Sequence, residues 1–127
     1  MKFSVLMSVY AKEKPEFLNA ALRSLVKQTR KPDEIVVVQD GSLTKELEDV
    51  INEYSKKLEY KHLFKIIQLK NNVGLGRALN AGLKSCSYEI VARADSDDVS
   101  LPNRFAEQIS YMENNPEVRI VSANIQE

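Results

Sequence analysis

The chain has 127 residues, the size of one domain, and its 43% hydrophobic and 28% charged residues are typical of globular proteins. Eighteen basic residues balance eighteen acidic ones, and this zero net charge excludes a general attraction for nucleic acid or for an acidic membrane surface. No apolar run approaches the roughly 18 residues of a membrane span. The single Cys86 excludes an intramolecular disulfide and suits a reducing compartment, so we expect a cytoplasmic protein.

The first half of the chain alternates strand and helix. Residues 3–9, FSVLMSV, predict a strand, and residues 15–28 predict a helix, since Pro15 stands at its start and apolar residues recur every three to four positions. EIVVVQ at residues 34–39 is a continuous apolar run, which predicts a strand buried on both faces. Thr44 then predicts the cap of a helix that extends through Tyr54.

The second half repeats the alternation. Residues 64–69 predict a strand, residues 76–86 a helix and residues 89–94 a strand. A helix over residues 101–115, with Pro102 in its first turn, and a strand at 118–123 complete the pattern. Strict alternation predicts an α/β fold: a Rossmann-like, mostly parallel sheet with right-handed crossovers and helices on both faces.

Polar or glycine-bearing segments follow four of the predicted strands. They are Tyr10, Asp40-Gly41-Ser42, residues 71–74 (NNVG) and residues 95–98 (DSDD). In open α/β sheets, ligands bind outside the carboxyl ends of the strands. We therefore expect these four strand tips to lie at one edge of the sheet and to form any functional site.

The fourth tip carries three carboxylates within four positions, Asp95, Asp97 and Asp98. Carboxylates so close together repel one another unless a positive charge lies among them. Their hard oxygens suit Mg²⁺ or Mn²⁺, and a divalent cation there could also hold a diphosphate. The alternative is a solvated acidic loop at the N-terminus of the following helix.

The first two tips suggest contacts with a nucleobase. Asp40 could accept a hydrogen bond from a base imide N–H, and Gly41 would let the backbone approach closely. The alternative is a plain turn in which Ser42 or Thr44 caps the next helix. Tyr10 could stack on a flat base or lie half-buried at the end of its strand.

The third tip resembles a phosphate-binding loop only in part. Residues 74–79 depart from the dinucleotide fingerprint G-x-G-x-x-G, because Leu79 occupies the position of the third glycine. What remains is Gly74 at a helix N-terminus with Arg77 nearby, which suits phosphate. A turn followed by a solvated arginine explains the same residues.

Taken in order, the tips resemble the nucleotide-binding half of family 2 glycosyltransferases, which have the GT-A fold. The segments that carry the resemblance are SVLMSVYAKEKPEFLNAALRSLVKQT, DEIVVVQDGS, NNVGLGRALNAGL and YEIVARADSDDVSLPNRFAEQ. It implies metal-dependent transfer, usually with inversion, of a sugar from a nucleotide diphosphate sugar to a hydroxyl-bearing sugar or lipid-linked acceptor. A UDP-sugar is the favoured donor, and cell-surface polysaccharide or lipopolysaccharide is the implied product.

The resemblance also assigns roles to residues. It implies that the nucleotide is held by Ser8, Val9, Tyr10, Asp40, Gly74, Arg77 and Asp95, and the metal by Asp95, Asp97 and Asp98. The sequence does not show which carboxylate coordinates the metal directly. Two departures make the donor preference less certain: Ser8 stands where the family often has proline, and Gln39 where it often has a second acid.

Members of the family are usually considerably longer, and their second half carries the acceptor site and the catalytic base. We therefore expect residues 1–127 to be the donor half alone, without an assignable base, and to be inactive in transfer by itself. In a longer protein it would lie in the cytoplasm or at the cytoplasmic face of a membrane. Two alternatives remain. A nucleotidyltransferase would need a Gly-rich basic loop after the first strand, and a receiver-like signalling domain would need acids there.

Overall fold

The computed structural model describes residues 1–117. The strands are β1 (Phe3–Val9), β2 (Glu34–Gln39), β3 (Phe64–Gln68) and β4 (Ile90–Arg93). The helices are α1 (Pro15–Val26), α2 (Lys45–Ser55), α3 (Leu75–Leu83) and α4 (Arg104–Asn114). All the elements predicted within this range are present in the predicted order, and the strand predicted at 118–123 lies outside the described residues. No helix within residues 1–117 is long and apolar enough to cross a membrane.

The four strands form one parallel sheet in the order β3-β2-β1-β4. The predicted α/β, Rossmann-like architecture is confirmed. The chain moves outward from β1 to β2 and β3, then returns to place β4 on the other side of β1, so the topological switch point lies between β1 and β4. A receiver-type sheet has the order 2-1-3-4-5 instead, so the receiver-like alternative is wrong.

Helices cover both faces of the sheet, as predicted. One face packs against α1, α2 and α4 in a cluster that includes Met7, Leu22, Ile51 and Phe105. The other face packs against α3, whose Ala78 meets Leu6, Val36 and Val38. Burial of every β2 residue follows from this two-sided cover and confirms the prediction for EIVVVQ.

The predicted start of the last helix was wrong by three residues. α4 begins at Arg104, so Pro102 lies in the preceding turn rather than in the first helical turn. The Leu101 carbonyl accepts a hydrogen bond from Gln28 Nε2 at 2.7 Å, and the Pro102 carbonyl accepts one from the Thr29 N–H at 2.9 Å. These bonds hold the turn against the end of α1. Other element ends differ from prediction by a few residues, as helix and strand termini usually do.

A buried carboxylate joins three strands at the amino end of the sheet, away from the strand tips. Glu34 accepts hydrogen bonds from Ser4 Oγ, the Ser87 N–H and Ser87 Oγ, each at 2.8 Å, and pairs with Lys65 Nζ at 3.2 Å. Burial alone would raise the pKa of Glu34, but these donors outweigh it and lower the pKa to about 2. Glu34 therefore stabilises the sheet in its ionised form.

Candidate functional site at the carboxyl edge of the sheet

A cavity of about 430 Å³ opens at the carboxyl edge of the sheet. It lies at the switch point between β1 and β4, where open α/β sheets bind their ligands. Its walls come from the ends of β1, β2 and β4 and from the loop before α3. The lining residues are Ser8, Tyr10, Glu13, Asp40, Asn72, Gly74, Leu75, Arg93, Asp95, Ser96 and Asp97.

Most of the residues predicted for the site meet at this cavity. Those that line it are Ser8, Tyr10, Asp40, Gly74, Asp95 and Asp97. Val9 instead packs in the core, and its carbonyl accepts a hydrogen bond from the Asp40 N–H at 2.8 Å. Arg77 is exposed on α3 and is not part of the cavity wall. Asp98 adjoins the wall, with its N–H bonded to the Asp95 carbonyl at 3.2 Å.

Asp40 organises the loop that follows β3. Its side chain is buried, and its two oxygens accept the N–H groups of Val73 at 2.7 Å and Gly74 at 3.1 Å. The Asn72 side-chain amide also donates to the Asp40 carbonyl at 3.3 Å. The sequence predicted a nucleobase as the partner of Asp40 but did not indicate these hydrogen bonds between Asp40 and the loop. Because each carboxylate oxygen has two lone pairs and has accepted one hydrogen bond, each can still accept a further donor.

Gly41 allows a close approach, but to protein backbone rather than to the predicted base. Its φ is 87°, and a Cβ there would lie 2.8 Å from the Asn72 nitrogen and 3.2 Å from its Cα. An L side chain would be strained at this φ and would collide with backbone that cannot move away cheaply. Gly41 therefore lets the tips of β2 and β3 pack together, which places Asp40 under the loop.

The negative charge of residues 95–98, the acidic loop, is neutralised in part by two arginines of the chain itself. Asp95 Oδ1 lies 3.2 Å from both Nε and Nη2 of Arg93. Arg104, on α4, donates to the Arg93 carbonyl at 2.8 Å and to Ser100 Oγ at 3.1 Å. Burial lowers the pKa of Arg104, while the nearby charges of Asp95 and Asp98 oppose that shift. Sequence reasoning missed both arginines, although Arg93 stands only two positions before Asp95.

Glu13 connects the first strand tip to the acidic loop. Its carboxylate accepts hydrogen bonds from Ser96 Oγ and, at 2.9 Å, from the Lys14 N–H, and its own N–H donates to the Tyr10 carbonyl at 3.0 Å. Ser96 is buried, so this contact fixes the middle of the loop between two aspartates. Tyr10 remains 48% exposed at the cavity, which leaves much of its ring open to a stacking partner.

The carboxylates fit a divalent cation that is held jointly with a ligand. Within residues 1–117, no group of three or more His, Cys, Asp or Glu side chains forms a complete metal site. Asp95 and Asp97 nevertheless both line the cavity and supply hard oxygen donors. Mg²⁺ is commonly bound by one or two carboxylates together with substrate phosphates and water. Asp95 and Asp97 match the number and type of side-chain ligands with which such a cation is commonly bound.

Two curated relatives match the chain over nearly all of its length. The amylovoran biosynthesis glycosyltransferase AmsE of Erwinia amylovora is 49% identical over 123 residues, which are 97% of this chain and 45% of AmsE. An Escherichia coli protein named UDP-Gal:alpha-D-GlcNAc-diphosphoundecaprenol beta-1,3-galactosyltransferase is 44% identical over 126 residues, 99% of this chain and 44% of that protein. The chain thus spans less than half the length of these relatives.

A solved structure also matches. S. aureus TarS 1-349 in complex with UDP-GlcNAc aligns with a TM-score of 0.77 at 28% identity, covering 97% of this chain and 37% of TarS 1-349. The sequence model described as Glycosyl transferase family 2 matches residues 4–126, almost the entire chain. These matches agree with the resemblance carried by the four strand tips and set aside the nucleotidyltransferase alternative. The chain belongs to the family 2 glycosyltransferases.

Proposed function

We propose that residues 1–127 are the donor-binding half of a metal-dependent, inverting glycosyltransferase that uses a nucleotide diphosphate sugar, with a UDP-sugar favoured. The observation that carries this proposal is that Tyr10, Asp40, Asp95 and Asp97 meet at one cavity. The acceptor is a hydroxyl group on a sugar or lipid-linked sugar, in cell-surface polysaccharide or lipopolysaccharide synthesis. The names of the E. amylovora and E. coli relatives support this assignment.

The nucleoside is assigned to the side of the cavity formed by β1 and β2. The exposed ring of Tyr10 offers a stacking surface, and the unused lone pairs of Asp40 can accept an imide N–H such as that of uracil. The UDP-GlcNAc complex of TarS supports UDP as the nucleotide. Gly74 is the N-cap residue that precedes α3, and the N-terminal dipole of this helix favours a phosphate nearby. Arg77 lies outside the cavity, and we give it no role.

The acidic loop is assigned to the diphosphate and a divalent cation. Asp97 is exposed at the cavity and Asp95 lies beside it, so these two carboxylates would hold Mn²⁺ or Mg²⁺, with Asp98 adjoining. A bound cation would supply Lewis-acid stabilisation of the negative charge on the departing diphosphate. The contact between Glu13 and Ser96 keeps the loop in register with the nucleoside side of the cavity.

The base that deprotonates the acceptor is not assigned to this chain. Besides Asp40 and the aspartates of the acidic loop, Glu13 is a further carboxylate that lines the cavity. Its oxygens, however, already accept hydrogen bonds from Ser96 Oγ and the Lys14 N–H. A general base must reach the acceptor proton directly or through one water. We propose that the base lies in a region corresponding to the part of the relatives that this chain does not cover. We further propose that the whole protein lies in the cytoplasm or at the cytoplasmic face of a membrane.

Calorimetric titration with UDP and GDP, each with and without Mn²⁺, tests this function. We expect UDP to bind more tightly than GDP and Mn²⁺ to strengthen UDP binding by at least about tenfold, since the cation bridges the diphosphate to carboxylates. Asp97→Ala should remove the Mn²⁺ effect and leave the fold intact. Asp49→Ala is the control, because Asp49 is an exposed carboxylate on α2. An Asp97→Ala protein that still responds fully to Mn²⁺ would disprove the metal assignment.

A further inference from the structure

Arg93 forms an ion pair with Asp95, one of the two cavity carboxylates proposed to hold a cation. Both of its contacting nitrogens, Nε and Nη2, converge on Asp95 Oδ1 at 3.2 Å, and both residues line the cavity. The pair is open to solvent, with the Arg93 side chain 56% exposed and that of Asp95 47% exposed. Exposed ion pairs of this kind contribute little to stability, so this one can be broken at low cost.

The other arginine near the acidic loop, Arg104 of α4, is held in place by several contacts. Arg104 donates to the Arg93 carbonyl and to Ser100 Oγ, and its guanidinium lies 4.9 Å from the centre of the Phe105 ring. These contacts hold its positive charge near Asp95 and Asp98. The loop therefore has one fixed cation, Arg104, and one displaceable cation, Arg93.

A divalent cation and the Arg93 guanidinium would compete for Asp95. Arg93 contacts Asp95 Oδ1, one of the two oxygens that this carboxylate offers a cation, and two positive charges a few ångströms apart repel each other. Once released, the long side chain of Arg93 remains at the wall of the cavity. A guanidinium there matches a diphosphate, whose oxygens it can bind in a bidentate manner.

We propose that Arg93 is an exchangeable counter-ion: it neutralises Asp95 when no cation is bound, gives way to the divalent cation and then binds the diphosphate of the nucleotide. This inference rests on the proposed function of the cavity. It has a specific consequence. Arg93 weakens the binding of the cation alone but strengthens the binding of the cation and nucleotide together, which makes the two ligands bind cooperatively.

Replacement of Arg93 should therefore have effects of opposite sign on two ligands. In Arg93→Gln, Mn²⁺ alone should bind about threefold to tenfold more tightly, because a competing charge close to Asp95 is removed in a partly screened site. UDP in saturating Mn²⁺ should bind about threefold to tenfold more weakly, because one charged contact to the diphosphate is lost. Uridine, which has no phosphate, should bind with unchanged affinity. Arg93→Lys, which keeps the charge, should bind Mn²⁺ about as wild type does.

The experiment measures free Mn²⁺ by electron paramagnetic resonance in titrations of the nucleotide-free chain, and the affinities for UDP and uridine by calorimetry. Arg23→Gln is the charge-matched control, because Arg23 is exposed on α1 away from the cavity. Circular dichroism melting confirms that each variant is folded. The exchange is supported if Arg93→Gln binds Mn²⁺ more tightly and UDP more weakly than the wild type, while Arg23→Gln shows neither change.

Mn²⁺ affinity that is unchanged, weaker or unmeasurable in Arg93→Gln overturns the exchange, and so does unchanged affinity for UDP. The wild-type protein separates this failure from that of the proposed function. If Mn²⁺ does not alter UDP binding to the wild type, the cation assignment fails and the inference fails with it. If Mn²⁺ strengthens UDP binding but Arg93→Gln behaves as Arg23→Gln does, the inference alone is wrong.

Discussion

Asp40 has two roles that one substitution can separate: it holds the loop before α3, and it is proposed to bind the nucleobase. Asp40 is only 4% exposed, and its carboxylate accepts the Val73 and Gly74 N–H groups at 2.7 and 3.1 Å. Hydrogen bonds to a charged group contribute about 1.5–3 kcal/mol each when they are buried. Val73 and Gly74 are themselves exposed, so water can replace part of what is lost. We expect Asp40→Ala to destabilise the chain by about 2 kcal/mol in total.

Urea unfolding at neutral pH measures this loss. The midpoint should fall with an unchanged slope, because the compactness of the folded and unfolded chains does not change. Asp49→Ala serves as the control, since its pair with Lys45 on the α2 surface contributes only about 0.3–0.5 kcal/mol. UDP binding to Asp40→Ala should weaken both with and without Mn²⁺, since the loss lies on the nucleoside side of the cavity.

Three results would refute parts of this reasoning. A stability change within about 0.5 kcal/mol, the range of ordinary surface substitutions, would mean that Asp40 does not hold the loop. Reduced stability with unchanged UDP affinity in the folded protein would leave Asp40 as a turn residue and remove it from the proposed binding site. Weakened UDP binding only when Mn²⁺ is present would move its effect from the nucleoside to the diphosphate.

Two further predictions concern the scaffold of the site. Gly41→Ala should cost about 1–3 kcal/mol of folding stability, because alanine is strained at a φ of 87° and its Cβ would lie 2.8 Å from the Asn72 nitrogen. Gly76→Ala, on α3 with nothing within 4 Å of the new Cβ, should instead be neutral or stabilising, and thermal melting compares the two. The Glu34 network should make stability depend on acid pH, because its folded pKa of about 2 lies below the ordinary value of 4.5. Its contribution, about 3 kcal/mol, is complete above the ordinary pKa and is lost as the pH falls toward the folded one. Urea unfolding at several pH values should show this loss in the wild type and its absence in Glu34→Gln, and equal pH profiles would exclude Glu34 as the cause.

The order of elements was predictable because local patterns determine it. Alternating apolar runs and amphipathic stretches predicted the parallel sheet, and the rule for strand carboxyl ends predicted where polar tips would meet. The start of α4 was not predictable in the same way. Pro102 favours a first helical turn locally, but the carbonyls of Leu101 and Pro102 bond to Gln28 and Thr29, which lie more than 70 positions away in the sequence.

The partners of the site residues were also hidden from the sequence. Asp40 bonds to an N–H 33 positions away, and Glu13 to a hydroxyl 83 positions away, so neither contact leaves a local pattern. Arg93 could have been noticed, since it precedes Asp95 by two residues. Arg93 is the last residue of β4 and Asp95 follows it by two positions, so the two side chains are close enough to pair. The three aspartates predicted a bound metal ion as their positive partner, whereas the structure shows that Arg93 already pairs with Asp95.

The most direct test of the central claim is to map the UDP site on the isotope-labelled chain by amide chemical-shift changes during titration with UDP in the presence of Mg²⁺. The cavity at the switch point predicts that the largest shifts fall on Tyr10, Asp40, Gly74 and the residues 95–97. Amides at the amino end of the sheet, such as Ser4 and Ser87, should shift little. Shifts concentrated at that opposite end, or none at millimolar UDP, would contradict the assignment of this cavity to a nucleotide diphosphate.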